Sequence, residues 1–273
     1  MATYIVTGGS GFIGTNLVRY LLSKNHYVIN IDKKTYASNK FKIEDNNYSE
    51  FKIDIKNQKK LISIFKKFKP STIFHLAAET HVDNSILSPK VFIETNIMGT
   101  YSILEAIRFL KDRGLNINLI HVSTDEVYGD LIDLKKNNSV ESDRYYPSSP
   151  YSSSKASSDH LVSAWNRTYG LKTIITNCSN NFGPYQHKEK FIPTIINSII
   201  NKKPIPIYGD GKQEREWLYV KDHCRALYMI SRKFKSNENY NIGSKNLFKN
   251  LNLVKKIWKI YDQNFGKINF KSS

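Results

Sequence analysis

The sequence predicts an α/β protein built on a doubly wound parallel sheet, with a smaller α/β lobe beside it. Short apolar segments rich in β-branched residues alternate with segments whose apolar residues recur at helical spacing. This alternation is typical of a parallel sheet with helices on both faces. A stretch rich in proline and glycine, residues 183–211, then interrupts the alternation. The interruption predicts the smaller lobe.

The predicted elements follow one another from the N-terminus. Thr3–Thr7 is short, apolar and β-branched, as a buried strand requires, and the next segment places Ile13, Leu17 and Leu21 on one helical face. The same two patterns then repeat. The predicted strands are 3–7, 27–31, 72–76, 118–123 and 172–178, and the predicted helices are 12–22, 58–69, 89–111 and one that begins near residue 150.

Composition and charge exclude several classes of protein. Hydrophobic residues make up 40% and charged residues 24% of the 273 residues, as in globular proteins. The sequence has no apolar run of about 18 residues and no secretory signal, and its two cysteines are too few for a disulfide framework or a four-cysteine zinc site. We therefore predict a cytoplasmic protein without a metal. The net charge of +17 comes mostly from dispersed lysines, so neither nucleic acid nor a membrane is an expected partner.

A glycine-rich segment, TGGSGFIG, joins the first predicted strand to the first predicted helix and contains Gly8, Gly11 and Gly14. Glycines there permit a tight turn and a close approach of the backbone to a pyrophosphate, which the helix N-terminus attracts. Asp32 ends the second predicted strand, where an acid binds ribose hydroxyls and repels a 2′-phosphate. These features predict a Rossmann-like site that prefers NAD to NADP, although the two lysines after Asp32 weaken this preference. A purely structural turn is the alternative.

Tyr151 and Lys155 lie one turn apart at the start of the helix predicted near residue 150. A nearby ammonium group stabilises a phenolate, so this tyrosine is a candidate for proton exchange with a substrate hydroxyl. The Tyr-x-x-x-Lys spacing is common, and a buried tyrosine beside a solvated lysine is the alternative. The glycine-rich segment upstream favours the catalytic interpretation.

Thr124, Asp125 and Glu126 follow the predicted strand 118–123, at the edge of the sheet where ligands of such folds bind. Two adjacent carboxyl groups suit paired acid and base roles if their surroundings separate their pKa values. Acids at strand ends are also often helix caps or solvated turn residues, and the spacing alone leaves both interpretations open.

These motifs occur together with several others. The further segments are HLAAETHVDNSI, ETNIMGT, STDEVYG, PSSPYSSSKASSDHLV, NCSNNFGPYQ, EKFIP and WLYVKDH. Together they resemble the dTDP-glucose 4,6-dehydratases, which belong to the extended short-chain dehydrogenase/reductase superfamily. The resemblance extends from about Thr3 to Asn250. The Tyr-x-x-x-Lys pair is typical of the superfamily, whereas Thr-Asp-Glu is typical of the dehydratases.

The resemblance implies a lyase of deoxysugar biosynthesis that forms a 4-keto-6-deoxy sugar by transient transfer of a hydride to bound NAD. Tyr151, assisted by Lys155 and Thr124, would take the proton of the sugar 4-hydroxyl. Glu126 would take the C5 proton, and Asp125 would protonate the departing 6-hydroxyl. Besides the glycines, Tyr151 and Lys155, the implied cofactor contacts are Phe12, Ile13, Asp32, Lys33, Lys34, Thr35, Asp54, Ile55, Leu76, Ala77, Ala78, Thr95 and Asn181.

The resemblance also implies contacts with dTDP-glucose and a homodimer formed by the helices near 89–111 and 150–169. Arg215 is the expected diphosphate partner, because its planar guanidinium binds such oxygens in pairs. An ordinary turn acid at Asp54, and packed or loop histidines at His75 and His81, are the alternatives to functional roles for these residues. The implied substrate contacts are Thr80, Thr124, Asn180, Lys190, Phe191, Pro206, Ile207, Tyr208, Arg215 and Asn250.

The sequence departs from the family pattern in two places. Glu216 stands where the family usually has aspartate, and the sequence to Ser273 lacks the Arg-Pro-Gly-His segment and the later tyrosine that help to enclose the nucleotide. We therefore expect weakened binding of substrate.

We predict a dinucleotide-binding domain over residues 1–180 and a substrate-binding lobe over residues 181–273, with return of residues 217–235 to the first domain as the alternative. Two other functions stay open. One is a sugar-nucleotide 4-epimerase or decarboxylase of the same superfamily, which does not need the two acids at 125 and 126. The other is a non-catalytic NAD-binding dimer. The choice between thymidine and uridine as the base is also open.

Overall fold

The computed structural model describes residues 1–40, 42–129, 139–207 and 209–265. Each segment that we predicted to be a strand or helix is one in the structure, with ends that differ by a residue or so. The strands are β1 (Thr3–Thr7), β2 (Tyr27–Asp32), β3 (Tyr48–Lys52), β4 (Thr72–His75), β5 (Asn118–Thr124), β6 (Thr173–Cys178), β7 (Asn180–Phe182), β8 (Glu214–Tyr219), β9 (Glu238–Ile242) and β10 (Leu247–Lys249). The helices are α1 (Phe12–Leu22), α2 (Gln58–Phe68), α3 (Val82–Leu87), α4 (Pro89–Phe92), α5 (Gly99–Lys111), α6 (Pro150–Tyr169), α7 (Phe191–Ile200), α8 (Val220–Arg232) and α9 (Asn250–Phe265).

The main sheet has seven strands in the order β3-β2-β1-β4-β5-β6-β9, and every neighbouring pair is parallel. This order is that of a doubly wound fold, in which the chain winds outward in both directions from β1. The predicted fold class is therefore confirmed. Because all strands run the same way, their carboxyl ends meet at one edge of the sheet.

Successive residues of the central strands face opposite layers of helices. In β1, the side chain of Ile5 packs in the core shared with α2, α5 and α6. The side chains of Tyr4 and Val6 pack in the core shared with α1 and α8. This alternation follows from the two-residue period of a strand. It explains why these strands are apolar throughout, since both faces are buried.

The helix predicted over residues 89–111 contains a π-helical turn, Ile93–Met98, between α4 and α5. Such wide turns occur frequently at functional sites. Here the turn places Asn96 against the loop that follows β4: its Oδ1 accepts a hydrogen bond from the Glu79 amide at 2.9 Å, and its Nδ2 donates to the Glu79 carbonyl at 3.1 Å. The same Nδ2 donates to Ser154 of α6 at 2.8 Å. Asn96 therefore holds this loop against α6.

The smaller lobe contains a three-stranded sheet in the order β10-β8-β7. Ile195 and Ile199 of α7 pack against Val254 of α9 to form its apolar core. Between β8 and β10 the chain returns to the main sheet. There α8 packs on α1, and β9 pairs with β6. The two sheets are therefore interleaved along the sequence.

Two strands of the main sheet were not predicted. β3 has a mixed burial pattern and lies at the edge of the sheet, and β9 is similarly polar and only partly buried. Edge strands that have one solvent-exposed face lack the continuous apolar pattern of the central strands. Among the residues that the structure describes, no helix is long and apolar enough to cross a membrane.

Candidate active site

A cavity of about 420 Å³ lies at the carboxyl edge of the main sheet and extends toward the smaller lobe. This size is ordinary for a site that binds a small molecule. Most of the residues predicted to bind a cofactor or act in catalysis line it. Of the predicted residues, the cavity is lined by Gly8, Gly11, Phe12, Ile13, Gly14, Asp32, Lys33, Thr35, Ile55, Leu76, Ala77, Ala78, Thr80, Thr95, Thr124, Asp125, Glu126, Tyr151, Lys155, Asn180, Asn181, Lys190 and Phe191.

The glycine-rich loop has the shape that a dinucleotide requires. Gly8 has a φ of +71°, and a Cβ there would lie 2.7 Å from the amide nitrogen of Ala77. A Cβ on Gly14 would collide with the carbonyl oxygen of Gly8, so α1 approaches β1 closely. A Cβ on Gly11 would meet only the Gly8 carbonyl, at 3.3 Å, and would otherwise fill space inside the cavity. α1 also begins with Gly11 at its N-cap, so its first amides are accessible to a pyrophosphate.

Asp32 ends β2 beneath this loop and is buried. Its Oδ2 accepts a hydrogen bond from the Ser10 amide at 3.0 Å, and its Oδ1 accepts one from the Lys34 amide at 2.7 Å. A carboxylate has further lone pairs for the hydroxyls of a ribose. The residues present therefore fit a dinucleotide without a 2′-phosphate.

The two lysines after Asp32 are both engaged by carboxylates. Lys33 Nζ lies 2.7 Å from Glu79 Oε1, and Lys34 Nζ lies 2.6 Å from Glu50 Oε1. Lys34 does not line the cavity, and its φ of +59° places it in a left-handed turn. Its contact with the cofactor therefore stays a prediction. Each ammonium group therefore has a carboxylate partner, which reduces its attraction for a 2′-phosphate.

Thr124, at the end of β5, connects the candidate catalytic groups. Its hydroxyl donates to Asp125 Oδ1 at 3.3 Å, accepts from the Glu126 amide at 3.3 Å, and is hydrogen-bonded to the phenol of Tyr151. Asp125 and Glu126 begin a short 3-10 helix, Asp125–Tyr128, which Thr124 caps. One hydroxyl therefore brings together the tyrosine and the two acids.

The first turn of α6 holds Tyr151 in place. Ser149 and Ser152 form a capping box: the Ser149 hydroxyl accepts from the Ser152 amide, and the Ser152 hydroxyl accepts from the Ser149 amide, both at 3.0 Å. Such a box satisfies two amides that the helix leaves free. One turn later, Lys155 Nζ donates to the carbonyl oxygen of Val122 at 2.9 Å. The candidate pair Tyr151 and Lys155 therefore lies on a helix end that these hydrogen bonds hold in place.

The surroundings separate the pKa values of these groups. Burial, with the charge of Glu126 next, raises the pKa of Asp125 to about 7, so this carboxyl group is available as an acid near neutral pH. Burial also raises the pKa of Tyr151 well above its usual range, and its hydrogen bond with Thr124 opposes the rise. The sequence interpretation, in which a nearby ammonium group stabilises the phenolate, did not take burial into account. Burial also lowers the pKa of Lys155.

Besides Lys34, six of the predicted residues do not line the cavity, and one of these six lies outside the described residues. Asp54 accepts a hydrogen bond from the Lys56 amide at 2.9 Å, as an ordinary turn acid does. Ile207 packs in the apolar core of the smaller lobe. Arg215 is close enough to lower the pKa of Asp125, although it does not line the cavity. The remaining predicted substrate contacts outside the cavity are Pro206 and Asn250, and Tyr208 lies outside the described residues.

The cavity also contains residues that sequence reasoning did not select. Gln186, His187 and Glu189 come from the loop after β7. Tyr36 approaches this loop from the other side, and its ring contacts that of His187 edge-on at 5.7 Å. Position after a strand end was the available signal for this loop, because ligands of open parallel sheets bind there. His75 is buried in the sheet, whereas His81 lines the cavity.

Within the residues that the structure describes, no group of three or more histidine, cysteine or acidic side chains is arranged to hold a metal ion.

The chain is similar to curated dehydratases over nearly all of its length. It is 49% identical to the dTDP-glucose 4,6-dehydratase of Salmonella typhimurium, in an alignment that covers 95% of this chain and 76% of that protein. It is 48% identical to the enzyme of the same name from Haemophilus influenzae, with 96% of this chain and 80% of that protein covered.

Solved structures agree. The dTDP-glucose 4,6-dehydratase of Bacillus anthracis in complex with NAD superposes with a TM-score of 0.87 and 38% identity, covering 100% of this chain and 85% of that one. The UDP-glucose 4-epimerase of Thermotoga maritima gives a TM-score of 0.84 at 27% identity, with 99% of this chain and 86% of that one covered. Residues 4–243 match the profile of the NAD dependent epimerase/dehydratase family. The chain therefore belongs to the NAD-dependent epimerase/dehydratase family, and within it to the dTDP-glucose 4,6-dehydratases.

Proposed function

We propose that the protein converts dTDP-glucose into dTDP-4-keto-6-deoxyglucose, a step of deoxysugar biosynthesis. The observation that supports this most is that Asp125 and Glu126 meet Tyr151 at Thr124, inside the cavity that fits a dinucleotide. An epimerase needs only the tyrosine and lysine. The acid pair adds what the elimination of water requires: a base at C5 and an acid at the 6-hydroxyl.

NAD⁺ bound by the glycine loop, the first amides of α1 and Asp32 would supply the hydride acceptor. Tyr151 takes the proton of the 4-hydroxyl, and Lys155 and Thr124 stabilise the phenolate that this role requires. Once C4 is a ketone, the C5 proton is acidic and Glu126 removes it. Asp125 has a pKa of about 7, so about half of this group is protonated near neutral pH; the acid form gives its proton to the leaving oxygen at C6, and water departs. Return of the hydride to C6 and of a proton from Glu126 to C5 would then complete the 4-keto-6-deoxy sugar.

The substrate's negative charge is balanced by cations at the lobe side of the cavity. Lys190 lines the cavity at the N-cap of α7. Burial lowers the pKa of its ammonium group, and the nearby carboxylates of Glu126, Asp83 and Glu189 oppose this effect. Arg215 lies near Asp125. We infer that these two side chains bind the diphosphate, which brings the sugar to the acid pair.

Incubation of the purified protein with dTDP-glucose and NAD tests this function. We expect an alkali-sensitive 4-keto product whose formation needs Tyr151. Formation of a 4-epimer without the 4-keto product would contradict the proposal and favour an epimerase. Tight NAD binding without any change in the sugar would indicate the non-catalytic alternative. UDP-glucose, used in parallel, measures the preference for the base.

We also propose a homodimer, located in the cytoplasm, that forms through the surface of α4, α5 and α6. Val91, Met98, Tyr101 and Phe109 are apolar and 36–48% exposed on the first part of this surface, and Tyr169 of α6 is 42% exposed. Contiguous exposed apolar groups often mark an interface.

Sedimentation measurements test the dimer. The native chain is expected to sediment as a dimer, and Tyr101→Glu as a monomer, because a buried unpaired carboxylate strongly opposes association. The matched control is Met229→Glu, because Met229 is 49% exposed on α8, in the helix layer on the other face of the sheet. A monomeric native chain would contradict the proposal.

A further inference from the structure

A third ionisable residue lies on the face of α6 that carries the catalytic pair. Tyr151, Lys155 and Asp159 follow one another at one-turn spacing. Their side chains become progressively more buried, with exposed fractions of 8%, 4% and 1%. A carboxylate is almost never fully buried unless it is paired, so Asp159 requires an explanation.

Asp159 is held by groups from neighbouring elements. Its Oδ2 accepts a hydrogen bond of 2.7 Å from the Ser123 hydroxyl of β5, and its Oδ1 lies 3.1 Å from Nε2 of the buried His121. The Tyr145 hydroxyl also hydrogen-bonds to this carboxyl group. The Ser123 hydrogen bond therefore holds one oxygen of the carboxyl group in place, one helical turn after Lys155.

Lys155 has little else to stabilise its charge. Its ammonium group donates to the carbonyl of Val122 at 2.9 Å, and burial lowers its pKa. Asp159 is the main group that opposes this effect. The other contributor is Cys178, whose pKa burial raises to about 12, so this thiol is neutral at physiological pH.

We propose that Asp159 is a positioning residue that acts through Lys155: as its buried counter-ion, it keeps the lysine protonated beside Tyr151. This inference rests on the proposed function, since it assigns Asp159 to the proton transfer at the sugar 4-hydroxyl. Without the carboxylate, a charge on Lys155 would be buried and unpaired, which is costly enough for the lysine to give up its proton instead. The phenolate of Tyr151 would then lose its neighbouring cation.

Several titratable groups surround Lys155. The rings of His75 and His121 lie nearby, with centroids 5.1 Å apart and planes tilted by 47°. Burial holds the pKa of each well below its usual value, so both are neutral near pH 7. The groups that influence the charges of Tyr151, Lys155 and Asp159 come from four elements and the segments after them. They are Asp159 and His160 of α6, His121 of β5, His75 of β4, Cys178 of β6, Asp125 and Glu126 after β5, and Tyr128 and Tyr145.

The first test is the pKa of Lys155 itself, followed by NMR titration of isotope-labelled lysine and assigned with Lys155→Met. We expect Asp159→Asn to lower this pKa by at least about one unit, that is a tenfold change in the protonation equilibrium, and Asp159→Glu to restore most of it. An unchanged pKa in Asp159→Asn would overturn the proposal. This measurement needs no turnover, so it stays informative if the native chain fails to act on dTDP-glucose and the proposed function falls.

The second test is the pH profile of product formation. A phenol without its neighbouring cation titrates higher, so the acid limb of kcat should move to higher pH in Asp159→Asn, while KM for dTDP-glucose stays within about twofold. Should Asp159→Asn not fold, Ser123→Ala replaces it, because it removes the 2.7 Å hydrogen bond to the carboxylate and should shift both readouts in the same direction by less. If kcat falls equally at every pH and the acid limb does not shift, the role of Asp159 is merely structural.

Discussion

Replacement of Asp125 by asparagine together with Glu126 by glutamine is expected to separate oxidation of the sugar from loss of water. Tyr151, Thr124 and Lys155 remain, and these suffice to remove the proton of the 4-hydroxyl. The C5 base and the acid at C6 are gone, and each such group typically contributes about 10²–10⁴-fold. With dTDP-glucose, the absorbance of reduced nicotinamide should appear while the 6-deoxy product falls by about 10² or more.

The single variants distinguish the roles of the two acids by their dependence on pH. Because the pKa of Asp125 is about 7, elimination in the native protein should slow as the pH rises through this value. Asp125→Asn should abolish that alkaline fall, whereas Glu126→Gln should retain it at a lower rate. Asp143→Asn, on a loop outside the cavity, is the matched control and should leave the rate unchanged. Full product formation in the double variant would exclude these roles for the two acids.

Replacement of Tyr151 by phenylalanine should remove the first step instead. The phenol is the group that Thr124 brings into the cavity, and nothing in phenylalanine accepts the proton of the 4-hydroxyl. We expect the appearance of both reduced nicotinamide and product to fall by about 10²–10⁴-fold. The affinity for NAD should fall by no more than about tenfold, which corresponds to the loss of one hydrogen bond from the phenol. Single-turnover absorbance and equilibrium titration measure these two quantities.

A second buried tyrosine provides the control for this variant. Tyr128 is 1% exposed, and its hydroxyl donates to Asn241 at 2.9 Å, away from the cavity. Tyr128→Phe loses one buried hydrogen bond, worth about 0.5–1.5 kcal/mol of stability, and should keep its catalytic rate. Equal losses of rate in the two variants would contradict the role of Tyr151. They would show that the rate depends on any buried tyrosine hydroxyl, and not on proton transfer by Tyr151.

The sequence was sufficient to predict those parts of the fold whose signals are local. Buried strands such as Thr3–Thr7 are apolar on both faces, and the glycines of the phosphate loop are required by the backbone contacts that the structure shows. The adjacent acids at 125 and 126 were identified because their place at a strand end and their family motif coincide. Each of these signals lies within a few consecutive residues.

Other features depend on contacts between distant residues and could not be predicted in this way. Tyr151 and Lys155 share a helix face, yet their titration is governed by burial from several elements. The engagement of Lys34 by Glu50 requires knowledge that β3 lies beside β2. Asp159 has no recognisable motif of its own, and its role depends on Ser123 and His121 of another strand.

The late return of β9 to the main sheet has a consequence for how the chain folds. β9 pairs with β6 through residues such as Ile174 and Glu238, and the whole small sheet except β10 lies between these strands in sequence. Contacts of such long range close a large loop and slow folding. During synthesis, a nascent chain that has emerged only to residue 180 exposes β6 as an unpaired edge strand, and such edges promote aggregation. The ribosome must therefore release the chain through Ile242 before the seven-stranded sheet can close, so early termination within residues 181–237 should yield a fragment that needs chaperones to stay in solution.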